Sequence, residues 1–169
     1  VNSPLPGVAL DKFSSHDTQA GSPAPLGATV LDDGVNFAVF SKYGSALELL
    51  LFDGPTDPAP ARVVALDPAR NRTGHYWHVF VTGAKAGQVY AWRVQGPDRP
   101  ELGHRFDGEK VLLDPYGLAV VGQNIYDRRA ARRPGDNCHC SLRSAVVDPA
   151  IYDWEDDRPL PEPGGREVI

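Results

Sequence analysis

The sequence predicts an all-β protein, an antiparallel β-sandwich followed by a long irregular C-terminal extension. Three observations carry this. Short stretches of two-residue apolar alternation recur at roughly 10–15-residue intervals, as half-buried strands require. Turn-forming residues punctuate the gaps, with 17 glycines and 16 prolines among 169 residues. No segment keeps a 3.6-residue apolar period long enough for a helix of ordinary length.

The elements follow in order. Residues 1–22 are small and polar, with Pro4, Pro6, Gly7 and Gly21, and are expected to form a flexible arm. Ordered structure is expected from residues 25–29. Asp32-Asp33-Gly34 predicts a turn into a strand over 35–41, with Val35, Phe37 and Val39 on one face. Residues 42–45 turn the chain into a strand over 46–52, where Leu47, Leu49 and Leu51 alternate with Glu48, Leu50 and Phe52. Asp53-Gly54-Pro55 ends it. Residues 62–66 form a shorter strand suited to a sheet edge. Over 75–81, Trp77, Val79 and Val81 oppose Tyr76, His78 and Phe80. Residues 83–87 lead into a strand over 89–94, with Tyr90, Trp92 and Val94 on one face and Val89, Ala91 and Arg93 on the other. Pro97 and Pro100 cannot continue a central strand.

The organisation expected is therefore an arm over 1–22, a sandwich over 23–97 and an irregular extension over 98–169. The extension carries only short apolar runs, at 111–113, 118–121 and 145–147, too few for a separate core. They are expected to dock on the sandwich or, toward the far end, on something outside this sequence. Residues 152–161 read as a linker, and Val168-Ile169 as the start of a further strand.

Composition excludes several function classes. A formal net charge of −5 argues against a nucleic-acid groove or a polybasic membrane surface. No apolar run approaches the ~20 residues that cross a bilayer. The N-terminus lacks the charged and apolar regions of a signal peptide, and the absence of methionine means that the initiator is not in this sequence. Cys138 and Cys140 flank His139. A disulfide across one residue is strained and a zinc site needs more ligands, so reduced, incidental thiols in a reducing compartment are expected. Asn71-Arg72-Thr73 matches a glycosylation sequon without other signs of secretion.

No nucleophile triad, phosphate loop or metal motif is present, and no catalytic residue, metal or cofactor is assigned. Ser14, Ser15, His16 and Asp17 lie in the arm, where nothing would orient a nucleophile. The carboxylates fall mainly in turns, and nothing marks the pair that a glycosidase holds about 5–10 Å apart. Sugars pack their C–H faces on flat aromatic rings, which makes Tyr76, Trp77, His78 and Trp92 the carbohydrate-binding candidates. For Trp77 and Trp92 the core is the competing role. Tyr76 and His78 are the better candidates if their face meets solvent.

Several stretches together resemble one family. They include Pro25-Leu26-Gly27-Ala28-Thr29, Gly34-Val35-Asn36-Phe37-Ala38-Val39-Phe40-Ser41 and Trp77-His78-Val79-Phe80. The strongest are Gly96-Pro97, Gly103-His104-Arg105-Phe106-Asp107 and Lys110-Val111-Leu112-Leu113-Asp114-Pro115-Tyr116, followed by Arg133-Pro134-Gly135-Asp136-Asn137-Cys138 and Tyr152-Asp153-Trp154-Glu155. In this order and spacing, over residues 23–169, they resemble the N-terminal domain of isoamylase-type debranching enzymes of the α-amylase superfamily, nearest the cyanobacterial and plant branch. The resemblance implies an immunoglobulin-like module of carbohydrate-binding module family 48, ahead of a (β/α)₈ barrel and a C-terminal β domain. In that family the barrel hydrolyses α-1,6 branch linkages of glycogen or amylopectin with a carboxylate nucleophile and a carboxylic acid.

Residues matching those catalytic motifs would lie beyond Ile169, so the chain alone is expected to be inactive, supporting the barrel and positioning α-glucan. The implied partners are α-glucan and the barrel of the same polypeptide, with no nucleic acid and no membrane. The implied location is the cytoplasm, or the plastid stroma in a plant or alga. His104, Arg105, Phe106, Asp114, Tyr116 and Trp154 are the candidates for docking on the barrel. Free glycan binding is expected to be weak, because residues 53–60 lack an aromatic platform and Ala91 stands where such modules often carry lysine. Two alternatives stay open: an autonomous glycogen- or starch-binding module, and an immunoglobulin-like interaction domain with no sugar role.

Overall fold

The computed structural model describes residues 17–151 together with Asp153 and Glu155. The chain runs through β1 (Thr18–Gln19), β2 (Gly27–Leu31), β3 (Gly34–Phe40), β4 (Ala46–Phe52), β5 (Arg62–Ala65), β6 (Arg72–Thr73), β7 (Tyr76–Thr82) and β8 (Val89–Gln95). It continues through β9 (Asp98–Arg99), β10 (His104–Arg105), β11 (Ala119–Val121), the single helix turn α1 (Arg128–Arg132) and β12 (Arg143–Ala145). One sheet has the order β1-β7-β3-β2, with β6 also on β7, and the other has the order β11-β12-β8-β4-β5. All pairs are antiparallel, and β9 and β10 form a separate ribbon. The fold is an all-β sandwich of the immunoglobulin-like kind, and β5 lies at a sheet edge as its short length predicts.

The predicted alternation builds the core. Register places Val35 opposite Val81, Phe37 opposite Val79 and Val39 opposite Trp77. These meet Leu47, Leu49, Leu51, Tyr90, Trp92 and Val94 from the other sheet in one cluster, with the Phe37 and Tyr90 rings edge to face at 4.9 Å. Aromatic pairs of this geometry add to the burial term, itself roughly 1.5–3 kcal/mol for each large apolar side chain.

Two boundaries differ from expectation. Residues 17–22 are not an arm: β1 pairs with β7, and the Asn36 side chain accepts from Ser22 N at 2.7 Å and donates to Ser22 O at 3.0 Å. A two-residue strand is too short for any period to reveal it. Nor does the sandwich end at residue 97. β12 lies inside the second sheet against β8, and Leu112 exchanges two backbone hydrogen bonds with Trp92, at 2.7 and 2.9 Å. The extension therefore completes the free edge of β8. It also covers that sheet's outer side, where Leu50, Phe52, Val89 and Ala91 pack with Val111 and Cys138.

Candidate functional surfaces

Burial sorts the aromatic candidates. Trp77 and Trp92 are 0% and 1% exposed and belong to the core, so neither offers a ring face to a sugar. His78 is also sealed: its Nδ1–H donates to Ala20 O at 2.7 Å, which leaves Nε2 to accept from the Thr73 hydroxyl at 2.9 Å. The cover is the segment around β1, which the sequence places in the arm. Asn71 is likewise buried, its carboxamide held by Asp67 N and Ala20 O.

Tyr76 alone of the four keeps an open ring, at 41% exposure. It packs edge to face on Phe40 at 5.5 Å, and Phe40 meets His75 at 6.2 Å. On the other side of the β3–β4 turn, Tyr43 packs on His104 at 4.4 Å, with Lys42 Nζ 5.1 Å from the Tyr43 ring centroid. Phe106 anchors this second group on the core and lies over Gly96, where a Cβ would fall 2.5 Å from its ring. Phe40, Tyr43 and Tyr76, exposed by 41–50%, thus flank one turn as an aromatic rim. Phe40 and Tyr43 carried no sequence signal beyond position, because an exposed aromatic at a strand end has the same pattern as a buried one.

The docking candidates separate. His104 and Phe106 join the rim, Arg105 is exposed beside it, and Tyr116 lies exposed over β2, its carbonyl 2.7 Å from where a Gly27 Cβ would be. Asp114 is not a surface residue. It is 2% exposed, and its Oδ2 accepts from the Tyr90 hydroxyl at 2.9 Å and the Trp92 indole N–H at 3.3 Å. Its Oδ1 accepts from Tyr116 N at 2.8 Å. Trp154 lies outside the described residues, as do Ser14, Ser15 and His16.

Burial, then the Asp114 charge and the hydrogen bond to it, push the Tyr90 hydroxyl far above its ordinary pKa. A group whose folded pKa is raised gives stability that is fully present below its unfolded value, about 10, and lost as pH rises beyond it. The chain is therefore expected to lose stability above about pH 10, and Tyr90→Phe to blunt that loss. Urea midpoints measured across that range check this; parallel profiles for the two proteins would refute it.

A groove of about 1060 Å³ lies between residues 98–113 and 126–142. Its walls are pinned together. Lys110 Nζ donates to Ala130 O at 2.9 Å and to Gly135 O, and Asn137 Oδ1 accepts from Val111 N at 2.8 Å. Asp107 accepts from Gly135 N at 2.8 Å and Glu109 N at 3.0 Å, and these backbone donors lower its carboxyl pKa. Asp107 therefore holds the clasp above the ordinary carboxylate range and releases it only as pH falls below that range. Tyr126, Arg132 and Arg133 on the far wall are not among the site candidates of the sequence, since residues 126–133 show no apolar period that would place them on a surface.

Cys138 and Cys140 are free and buried, and burial raises the Cys138 thiol pKa although the Arg143 guanidinium beside it acts the other way. Among the described residues no group of three His, Cys, Asp or Glu side chains is placed to hold a metal, and no helix is long and apolar enough to cross a membrane.

Residues 25–117 match the family described as carbohydrate-binding module 48 (isoamylase N-terminal domain). The chain is 43% identical over 154 residues to chloroplastic isoamylase 1 of Oryza sativa subsp. japonica, covering 89% of this chain and 19% of that protein. It is 40% identical over 154 residues to a glycogen debranching enzyme of Serratia proteamaculans (strain 568), covering 88% of this chain and 22% of that one. In fold it is similar to the glycogen-degrading pneumococcal virulence factor SpuA, with a TM-score of 0.53 at 19% identity over 79% of this chain and 13% of that one. The chain thus spans about a fifth of the length of the curated relatives it matches.

Proposed function

Because the chain belongs to the carbohydrate-binding module 48 family of isoamylase N-terminal domains, we propose that it is the noncatalytic N-terminal module of a glycogen or starch debranching enzyme, supporting the catalytic barrel and positioning α-glucan. The observation that carries this is the family match in a chain about a fifth as long as its debranching relatives. The compartment that fits is the cytoplasm, or the plastid stroma in a plant or alga.

The aromatic rim is the docking face for the barrel of the same polypeptide. Its rings take up one another's faces edge-on, at 67° and 65°, so a flat ring is less available to a sugar than an apolar patch is to a protein surface. Weak glucan binding through β8 also has a physical reason. Ala91 is 0% exposed beneath the extension, so a side chain there does not reach solvent.

The test uses the full polypeptide that carries this chain. It is expected to hydrolyse α-1,6 linkages in glycogen or amylopectin, while residues 1–169 alone do not. Tyr43→Asp with Phe40→Ser should lower the full polypeptide's melting temperature far more than that of residues 1–169 alone. Absence of α-1,6 hydrolysis would sink the functional assignment, and equal effects on the two proteins would sink the docking face.

A further inference from the structure

The groove beside the extension is not used by the scaffold role. Its volume of about 1060 Å³ is slightly above the usual span of ligand clefts, roughly 300–1,000 Å³. It is preformed, because the Lys110, Asp107 and Asn137 hydrogen bonds join its two walls. Those bonds engage Lys110 and Asp107. Five other charged side chains line it: Arg105, Arg132 and Arg133 with Asp98 and Glu109. Among the described residues none of the five has a side-chain hydrogen bond or ion pair. Beside them lie Tyr126, 41% exposed, and Leu112, 42% exposed.

This mixture selects among ligand classes. A phosphate group or a nucleic acid asks for cations without carboxylates. An apolar ligand would strip water from five charges and return nothing. A neutral polyhydroxylated chain uses both signs, its hydroxyls donating to carboxylates and accepting from guanidinium groups, while its C–H faces pack on Tyr126 and Leu112. We propose that this groove binds a linear segment of α-glucan, with Tyr126 as the stacking ring and Arg105, Arg132, Arg133, Asp98 and Glu109 as hydroxyl partners. The choice of glucan rests on the function proposed above. The site lies on the extension and meets the rim at Phe106, while Tyr76 is not part of its lining.

Maltoheptaose titrated into residues 1–169 and followed by amide chemical shifts tests it. Saturable millimolar binding is expected, with shifts at Tyr126, Arg132 and Arg133. Tyr126→Ala and the double variant Arg132→Gln/Arg133→Gln are each expected to weaken binding by at least about fivefold. Tyr76→Ala should leave it unchanged, and all three variants, being at exposed positions, should melt as the parent does. Loss confined to Tyr76→Ala would overturn the groove and leave the functional assignment standing. Inorganic phosphate displacing maltoheptaose at lower concentration would overturn the glucan class. No binding at tens of millimolar would overturn the groove as a glucan site, while α-1,6 hydrolysis by the full polypeptide independently decides the functional assignment.

Discussion

Arg143→Met is expected to destabilise the chain by about 4 kcal/mol. Arg143 is 0% exposed on β12, inside the second sheet. Its Nη1 donates to Gly54 O at 3.1 Å, and its Nη2 donates to Cys138 O at 2.9 Å and to Asp57 O. The guanidinium also lies 3.7 Å from the centroid of the Phe52 ring. One side chain thus ties the loop after β4 to the turn before β12, two regions more than 80 residues apart in sequence. Methionine replaces the aliphatic stem but leaves Gly54 O and Asp57 O without their donor and Cys138 O with the Ser141 hydroxyl alone, and it removes a desolvated cation–π contact of about 2 kcal/mol. Burial lowers the arginine's pKa, yet the guanidinium stays charged at any pH where the fold is studied. Lysine keeps the charge but cannot present a planar fork, so Arg143→Lys should recover only part of the loss. Urea denaturation reads this directly. A midpoint shift worth less than about 1 kcal/mol for Arg143→Met would show that the carbonyls find water instead.

The contrast between what was legible and what was not follows from the range of the interactions. Val35, Phe37 and Val39, or Leu47, Leu49 and Leu51, announce their strand because each obeys a two-residue period within its own segment. Arg143 and Ser144 obey no such period. They are buried because distant carbonyls, the Phe52 ring and Asp114 satisfy them, so a segment that opens on two polar residues becomes an inner strand. The same cause hid the cover on His78, since the partner Ala20 is 58 residues away and sits in a stretch with no pattern. At the surface the difficulty is reversed. Tyr76 was legible as an aromatic whose strand face could meet solvent, whereas Tyr126, Arg132 and Arg133 line a groove only because Lys110 and Asp107 hold residues 130–135 against residues 107–110. Asp114 stands in the sequence as a candidate for docking on the barrel, and sequence alone does not reveal that Tyr90 and Trp92 both donate to it.

That buried carboxylate supports the second large prediction. Asp114→Ala is expected to cost about 3 kcal/mol, because it removes the one acceptor that a buried tyrosine hydroxyl and an indole N–H share. Adding Tyr90→Phe to Asp114→Ala should cost much less than Tyr90→Phe alone, since the first change has already removed the bond. Asp114→Asn keeps one acceptor oxygen and should fall between the parent and the alanine variant. The consequence should extend along the chain. Asp114 also fixes the turn through Tyr116 N, and two residues earlier Leu112 is bonded to the backbone of Trp92. Loss of the carboxylate should therefore loosen the extension where it meets β8, and the amide of Leu112 should exchange with solvent faster than amides in the middle of β3. Leu112 lines the proposed glucan groove, so maltoheptaose should bind the variant more weakly although no groove side chain has changed. If Leu112 exchange stays as slow as in the parent while global stability falls, the extension is held by Val111 and Cys138 packing instead, and Asp114 acts on the sandwich core alone.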